Sequence, residues 1–163
     1  MKYGVIALFG IIAAFLHAGS LLAQDLGFEE TQAQTTITTC LAEEKSNGRN
    51  GSACISKFAS ICLEKESNYT TLAMRGCIAL EYKVWDRLLN SDYQALLASL
   101  ETQEHKNSLR QAQRNWNKFV NSFCPLAYQF NQGTMFLLTG DQCVMEMTAR
   151  QDIELKALIG DPL

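Results

Sequence analysis

Residue types that commonly carry out catalysis are sparse in this 163-residue sequence. Nucleophilic catalysis needs a Ser or Cys beside a basic His, and His105 is the one histidine after the apolar N-terminal stretch. It lies at a predicted helix junction, where an exposed side chain is expected. Glu81 and Asp86 could form a carboxylate pair, but their spacing directs them to diverging faces of a helix. HExxH, GxSxG, Walker and GxGxxG segments are missing from the sequence, so it predicts a non-enzymatic protein that uses no cofactor.

The cysteines are the second chemically informative set. They are Cys40, Cys54, Cys62, Cys77, Cys124 and Cys143. An even number in an exported protein predicts disulfides, and the lack of a CxxC pair disfavours a metal site. Pairing of neighbours, as Cys40–Cys54, Cys62–Cys77 and Cys124–Cys143, is the simplest assignment. A nested arrangement, with Cys40–Cys77 around Cys54–Cys62, is the alternative, and spacing alone does not decide between them.

The N-terminal residues have the pattern of a secretory signal peptide. Lys2 precedes an almost wholly apolar stretch over residues 4–16, and small residues follow up to Ala23. We predict cleavage after Ala23, with Ser20 as the second choice, which leaves a single domain over residues 24–163. Loss of Lys2 changes the net charge from −3 to −4. The sequence thus predicts a periplasmic or secreted protein with no membrane anchor after cleavage and, because it is acidic, no nucleic-acid partner.

Helical periodicity dominates the remaining sequence. The predicted helices cover residues 35–45, 53–64, 71–100, 109–123 and 141–159. Apolar residues recur at a spacing of three and four in the long segments, and no alternating β-branched runs are present. We therefore predict an all-α fold: a small, disulfide-stapled bundle of two long antiparallel helices with a C-terminal helix packed across them. Trp85 and Trp116 are expected to be buried together in it.

The segment before the last helix is unusually apolar for a connection. Thr139 and Gln142 form a capping-box pattern that predicts a helix start at residue 141, so residues 130–140 are expected to be a loop. The large side chains crowded into and beside it are Tyr128, Phe130, Met135 and Phe136. Apolar groups on a loop clamped by Cys124 and Cys143 are typical of a surface that binds a protein partner. The alternative is that the loop covers the end of the helical core.

Three segments carry a recognisable signature. They contain Trp85-Asp86-Arg87-Leu88-Leu89-Asn90 followed by Tyr93, Gln113 followed by Trp116, and Cys143 followed by Thr148 and Arg150. In this order they resemble the LN-x-x-Y, Q-x-x-W and C…T-x-R segments of the LprI-like lysozyme-inhibitor family. The resemblance covers about residues 62–158 and implies a helical domain of the periplasm or cell surface. The sequence departs from the family in having Phe119-Val120-Asn121 where an aromatic and an Arg-Asp pair are usual, and Cys40 and Cys54 are additional.

Polar residues of this signature lie at or beside the apolar helix faces. They are Glu81, Asp86, Asn90, Tyr93, Gln113, Trp116, Thr148 and Arg150. One interpretation is a hydrogen-bonded network that fixes the packing of three helices, with Arg150 paired to Glu81 or Asp86. The other is a cluster that contacts a ligand.

A basic stripe recurs every four residues along the second long helix, at Lys106, Arg110, Arg114 and Lys118. We expect it to be a solvated face opposite Gln113 and Trp116. A lesser hypothesis is that the stripe contacts anionic polymers of the cell envelope.

The leading functional prediction is a binding protein that blocks the cleft of a lysozyme. Common lysozymes are basic, so a domain of charge −4 would gain in encounter rate. The alternative is a structural or interaction module of the periplasm or cell envelope that makes no contact with lysozyme.

Overall fold

The computed structural model describes residues 29–160, and the regular structure in this range is entirely helical. The helices are α1 (residues 29–46), α2 (Lys57–Leu63), α3 (Thr71–Ser99), α4 (Gln103–Phe123), α5 (Leu126–Gln129) and α6 (Met135–Ile159). Short 3-10 turns at Ser52–Cys54 and Glu66–Asn68 flank α2. The predicted all-α fold is confirmed, whereas the proposed signal peptide lies outside the described residues. None of the helices within residues 29–160 combines the length and hydropathy that a membrane span requires.

The main core forms where α6 packs along α3, the most extensive contact between helices in the described structure. Val84 and Trp85 of α3 and Met145 and Ala149 of α6 are completely buried there. The side chains recur at helical spacing on one face of each helix, so both helices bury a continuous apolar stripe. Phe58 of α2 extends the same cluster.

A second, smaller cluster lies between the later part of α3 and α4. Leu89 and Leu96 of α3 pack with Leu155 of α6, and Trp116 of α4 covers them. Trp85 belongs to the main core instead. The prediction that the two tryptophans are buried together is therefore wrong, because α6 rather than α4 supplies most of the packing surface of α3.

Three disulfides connect the helical elements to one another. Cys40 is bonded to Cys54, Cys62 to Cys77, and Cys124 to Cys143. The structure thus contains the neighbour pairing and not the nested arrangement. The first bridge joins α1 to the turn before α2, the second joins α2 to α3, and the third joins the end of α4 to α6.

The last helix begins earlier than the capping-box pattern predicts. It starts at Met135, so Thr139 lies inside the helix and its hydroxyl faces the Met135 carbonyl oxygen at 3.5 Å. Leu138 packs against the main core. This burial stabilises the helix before Thr139, so the capping pattern does not mark its start. The predicted loop over residues 130–140 therefore shrinks to residues 130–134.

The first helix is also longer than predicted. Residues 29–46 are helical, whereas periodicity predicts residues 35–45. Ala33, Ile37 and Leu41 are buried in the main core at intervals of four residues. The apolar stripe of α1 is therefore narrow, and the polar residues around it obscure the pattern in the sequence.

Candidate functional site

A groove of about 500 Å³ opens between α3 and α4, with Val144 and Thr148 of α6 also lining it. Six of the eight signature residues line this groove, namely Asp86, Asn90, Tyr93, Gln113, Trp116 and Thr148. They come from three helices because α4 returns along α3 after the short connection at residues 100–102, and α6 packs beside both. The fold thus brings together residues that are up to 62 positions apart in the sequence.

Asn90, Gln113 and Thr148 are each held by a separate hydrogen bond, and no continuous network links them within the described residues. Asn90 Nδ2 donates to the carbonyl oxygen of Asp86 at 2.7 Å, and Thr148 Oγ1 donates to the carbonyl oxygen of Val144 at 2.8 Å. Between helices, Gln113 Oε1 accepts a hydrogen bond from Gln151 Nε2 at 3.1 Å. Each side chain is therefore fixed separately.

Glu81 lies outside the groove and has a structural environment of its own. Its carboxylate accepts hydrogen bonds from the backbone N–H groups of Ser56 and Ala59, both at 2.7 Å, and from Trp85 Nε1 at 2.9 Å. These bonds satisfy donors at the start of α2, where no side-chain cap is present. Burial raises the pKa of Glu81, while the three donors act in the opposite direction. Glu81 therefore ties α2 to α3.

Arg150 is also outside the groove. Its side chain is 68% exposed and its guanidinium lies 3.8 Å from Glu146, one turn earlier on the same helix. The predicted pairing of Arg150 with Glu81 or Asp86 is wrong, because Arg150 projects from α6 away from the face that packs on α3.

The basic stripe on α4 divides into two pairs. Arg110 and Arg114 line the groove beside Gln113 and Trp116, whereas Lys106 and Lys118 do not. The expectation that the whole stripe lies opposite these two residues is wrong, because Arg110 and Gln113, three positions apart, share one face of the helix. Among the described residues, the side-chain hydrogen bonds of both arginines stay within α4, from Arg110 to Asn107 and from Arg114 to Gln111.

Comparison with protein families places these segments in one known group. The family model described as Lysozyme inhibitor LprI matches residues 62–155. The chain belongs to the LprI family. Searches of curated proteins and of solved structures find no significant match.

The matched LprI segment contains the groove residues, Glu81 and Arg150 together with two of the three disulfides. Cys40 and Cys54 precede it. Disulfides form and persist in oxidising compartments, so LprI membership and three bridges together indicate an extracytoplasmic protein. The family is described by inhibition and not by catalysis. His105 is exposed near the start of α4, where its backbone N–H is capped by Thr102.

A second surface of this LprI domain lies where α4 ends and α6 begins. We call it the apolar corner, and it consists of the exposed side chains of Phe119, Phe123, Tyr128, Phe130 and Met135. Phe119 and Phe123 stack with their ring centroids 5.2 Å apart. The Tyr128 ring covers Gly140, where a Cβ atom would come within 3.0 Å of the ring. Phe136, predicted with this group, is half-buried.

One functional-looking cluster was not predicted from the sequence. Lys156 Nζ lies 3.2 Å from Asp92 Oδ2 of α3 and 3.2 Å from Asp152 Oδ2 of its own helix. Asp152 is completely buried, so its carboxylate relies on the Lys156 ammonium for charge compensation. A signal was available, since Asp152 continues the spacing of Met145, Thr148 and Leu155 along the buried face of α6. Because Asp152 is buried from solvent, the cluster contributes to the packing of α6 on α3.

Proposed function

We propose that this LprI domain is an exported binding protein that inhibits a lysozyme by direct protein contact. The match to the inhibitor family over residues 62–155 carries this conclusion. Export rests on the signal-peptide pattern of residues 1–23, whose removal leaves a mature chain of charge −4. This charge favours encounter with a basic enzyme, so the association rate should fall as ionic strength rises.

The apolar corner is the surface that we propose for the contact. Aromatic and methionine side chains are enriched at the centres of protein interfaces, and Phe130 is 78% exposed while Met135 is 53% exposed. The Cys124–Cys143 bridge joins the end of α4 to α6 and so closes the segment that carries Phe130 and Met135. Such a tether lowers the ordering cost of association, since the corner is fixed before the partner arrives.

The primary test is a lysis-turbidity assay with a chicken-type lysozyme and the mature domain. We expect dose-dependent protection of the cells by the oxidised protein and little by the reduced protein, because reduction releases the corner. Protection that is equal in both forms would contradict a role for the disulfide-fixed surface. No protection at a large molar excess would favour the alternative, an envelope module that does not contact this lysozyme class.

A matched pair of variants tests the location of the contact. The double variant Phe130→Ser, Met135→Ser should weaken inhibition about tenfold or more, as loss of interface anchors does. Leu158→Ser is the control, because Leu158 is 70% exposed and lies roughly 35 Å along α6 from Met135 at 1.5 Å per residue. Equal inhibition by the double variant and the control would exclude the corner as the contact surface.

A further inference from the structure

We propose that the groove between α3 and α4 binds a short N-acetylated saccharide that carries a carboxylate. This ligand differs in class from a lysozyme, and the proposal does not depend on inhibition. It rests on three features of the groove: exposed amide side chains that form no hydrogen bond within the described residues, aromatic rings at its wall, and two arginines on one side.

The amides supply the first argument. Gln94, Asn117 and Asn121 line the groove, and none of the hydrogen bonds in the described part of the chain uses their side chains. An amide both donates and accepts hydrogen bonds, which is the combination that hydroxyl and N-acetyl groups require. Protein-binding surfaces are built mainly on buried apolar anchors, whereas this groove is lined chiefly by amides and charged groups.

Aromatic side chains supply the second argument. Tyr82, Tyr93 and Trp116 line the groove and are half-buried. Trp116 and Tyr93 are held in place because they pack against Leu89, Leu96 and Leu155. The C–H face of a pyranose ring packs on such rings while its hydroxyl groups stay free for the amides. The volume of about 500 Å³ falls within the range of small-ligand sites, roughly 300–1,000 Å³.

The charges supply the third argument. Arg110 and Arg114 are one helical turn apart on the α4 side, and guanidinium groups bind carboxylates with two parallel hydrogen bonds. Among the described residues that line the groove, Asp86 is the acidic one, and it lies on α3. An anionic ligand is therefore favoured with its carboxylate towards α4 and its uncharged parts towards α3. The disaccharide of N-acetylglucosamine and N-acetylmuramic acid has this chemistry, since its second sugar carries a lactyl carboxylate.

The test is calorimetric titration of the oxidised protein, residues 24–163, with that disaccharide and with the neutral dimer of N-acetylglucosamine. We expect saturable binding of the acidic disaccharide and weaker binding of the neutral one. Asn117→Ala with Gln94→Ala should weaken binding of both sugars. Arg110→Gln with Arg114→Gln should weaken only the acidic one, by about tenfold, as loss of hydrogen bonds to a charged group does.

Lys106→Gln with Lys118→Gln is the matched control, because it removes the same charge from the same helix outside the groove. It should leave the affinity for both sugars unchanged. Equal losses in the arginine and lysine variants would mean non-specific attraction and would overturn the site. Absence of saturable heat with either sugar would also overturn it, and so would loss of lysozyme inhibition alone in the groove variants. The lysis assay of the unmodified protein is scored separately, so failure of the inhibitor proposal is distinguishable from failure of this one.

Discussion

The free energy of unfolding of the wild type should depend on pH between about pH 5 and pH 8, and replacing Asp152 by Asn should remove this dependence. The carboxyl is completely buried on α6 and lies beside Asp92 and Lys156. In the described structure the two aspartates share the Lys156 ammonium, which lies 3.2 Å from an oxygen of each. A proton on Asp152 removes the repulsion between the two carboxylates and supplies a further donor, so the folded state favours the protonated form of this carboxyl.

The size of the effect follows from the two pKa values. Burial is the main reason that the pKa of Asp152 is raised to about 7. Asp92 contributes to this increase, and Lys156 opposes it. An unfolded Asp has a pKa of about 3.9. Because the folded pKa is the higher one, the stabilisation is present in full below about pH 4 and is lost as pH rises through about 7. At 1.36 kcal/mol per pKa unit this is on the order of 4 kcal/mol, and more than half of it is lost between pH 5 and pH 8.

Urea unfolding of the oxidised protein at a series of pH values measures this difference directly. The free energy of unfolding of the wild type, relative to Asp152→Asn, should fall by roughly 2–3 kcal/mol from pH 5 to pH 8. Asp92→Asn is the informative control: it removes a smaller cause and leaves burial in place, so part of the dependence should remain. Parallel curves for the wild type and Asp152→Asn would refute the reasoning, because no proton would then be held at this site.

Three further substitutions test the packing of the described helices. Glu81→Ala removes the acceptor of three donors, namely two backbone N–H groups at the start of α2 and the Trp85 ring nitrogen. It should lower the free energy of unfolding in urea by about 3 kcal/mol or more. A loss below about 1 kcal/mol would contradict this. Ser56→Gly should stabilise the fold by about 0.5–1 kcal/mol, since Ser56 has a φ of 65°, and a lower melting temperature would argue against strain there. Cys124→Ala with Cys143→Ala should cost about 3 kcal/mol in thermal unfolding, and an unchanged melting temperature would show that the bridge constrains nothing.

Much of the fold could be predicted because helical periodicity is strong where both long helices bury an apolar stripe. The long helix α3 and the end of α4 at Cys124-Pro125 follow from spacing and from proline sterics. The start of α6 could not be predicted in the same way. The capping-box pattern at Thr139 is a local signal. It is overridden by the packing of Leu138 against the main core, because this contact joins residues that are distant in sequence.

Pairing of the helices was harder to predict than their existence. The sequence shows which helix faces are apolar but not which two faces pack against each other. It therefore predicts one cluster for Trp85 and Trp116, although they occupy two. The same limit applies to polar partners. Glu81 binds backbone donors of α2, and backbone donors leave no trace in side-chain patterns. The predicted partner Arg150 instead lies on an exposed part of α6.

The saccharide proposal adopts the ligand-contact interpretation of the signature residues, and it separates these residues from the proposed inhibitory surface. Six signature residues line the groove, whereas none belongs to the apolar corner. A single helix contributes to both surfaces, with Arg114 and Asn117 in the groove and Phe119 and Phe123 at the corner. Measuring the groove variants and the corner variants in both the saccharide titration and the lysis assay therefore separates the two proposals. If each set affects only its own assay, the LprI signature marks a saccharide site, and inhibition depends on a surface that the signature does not describe.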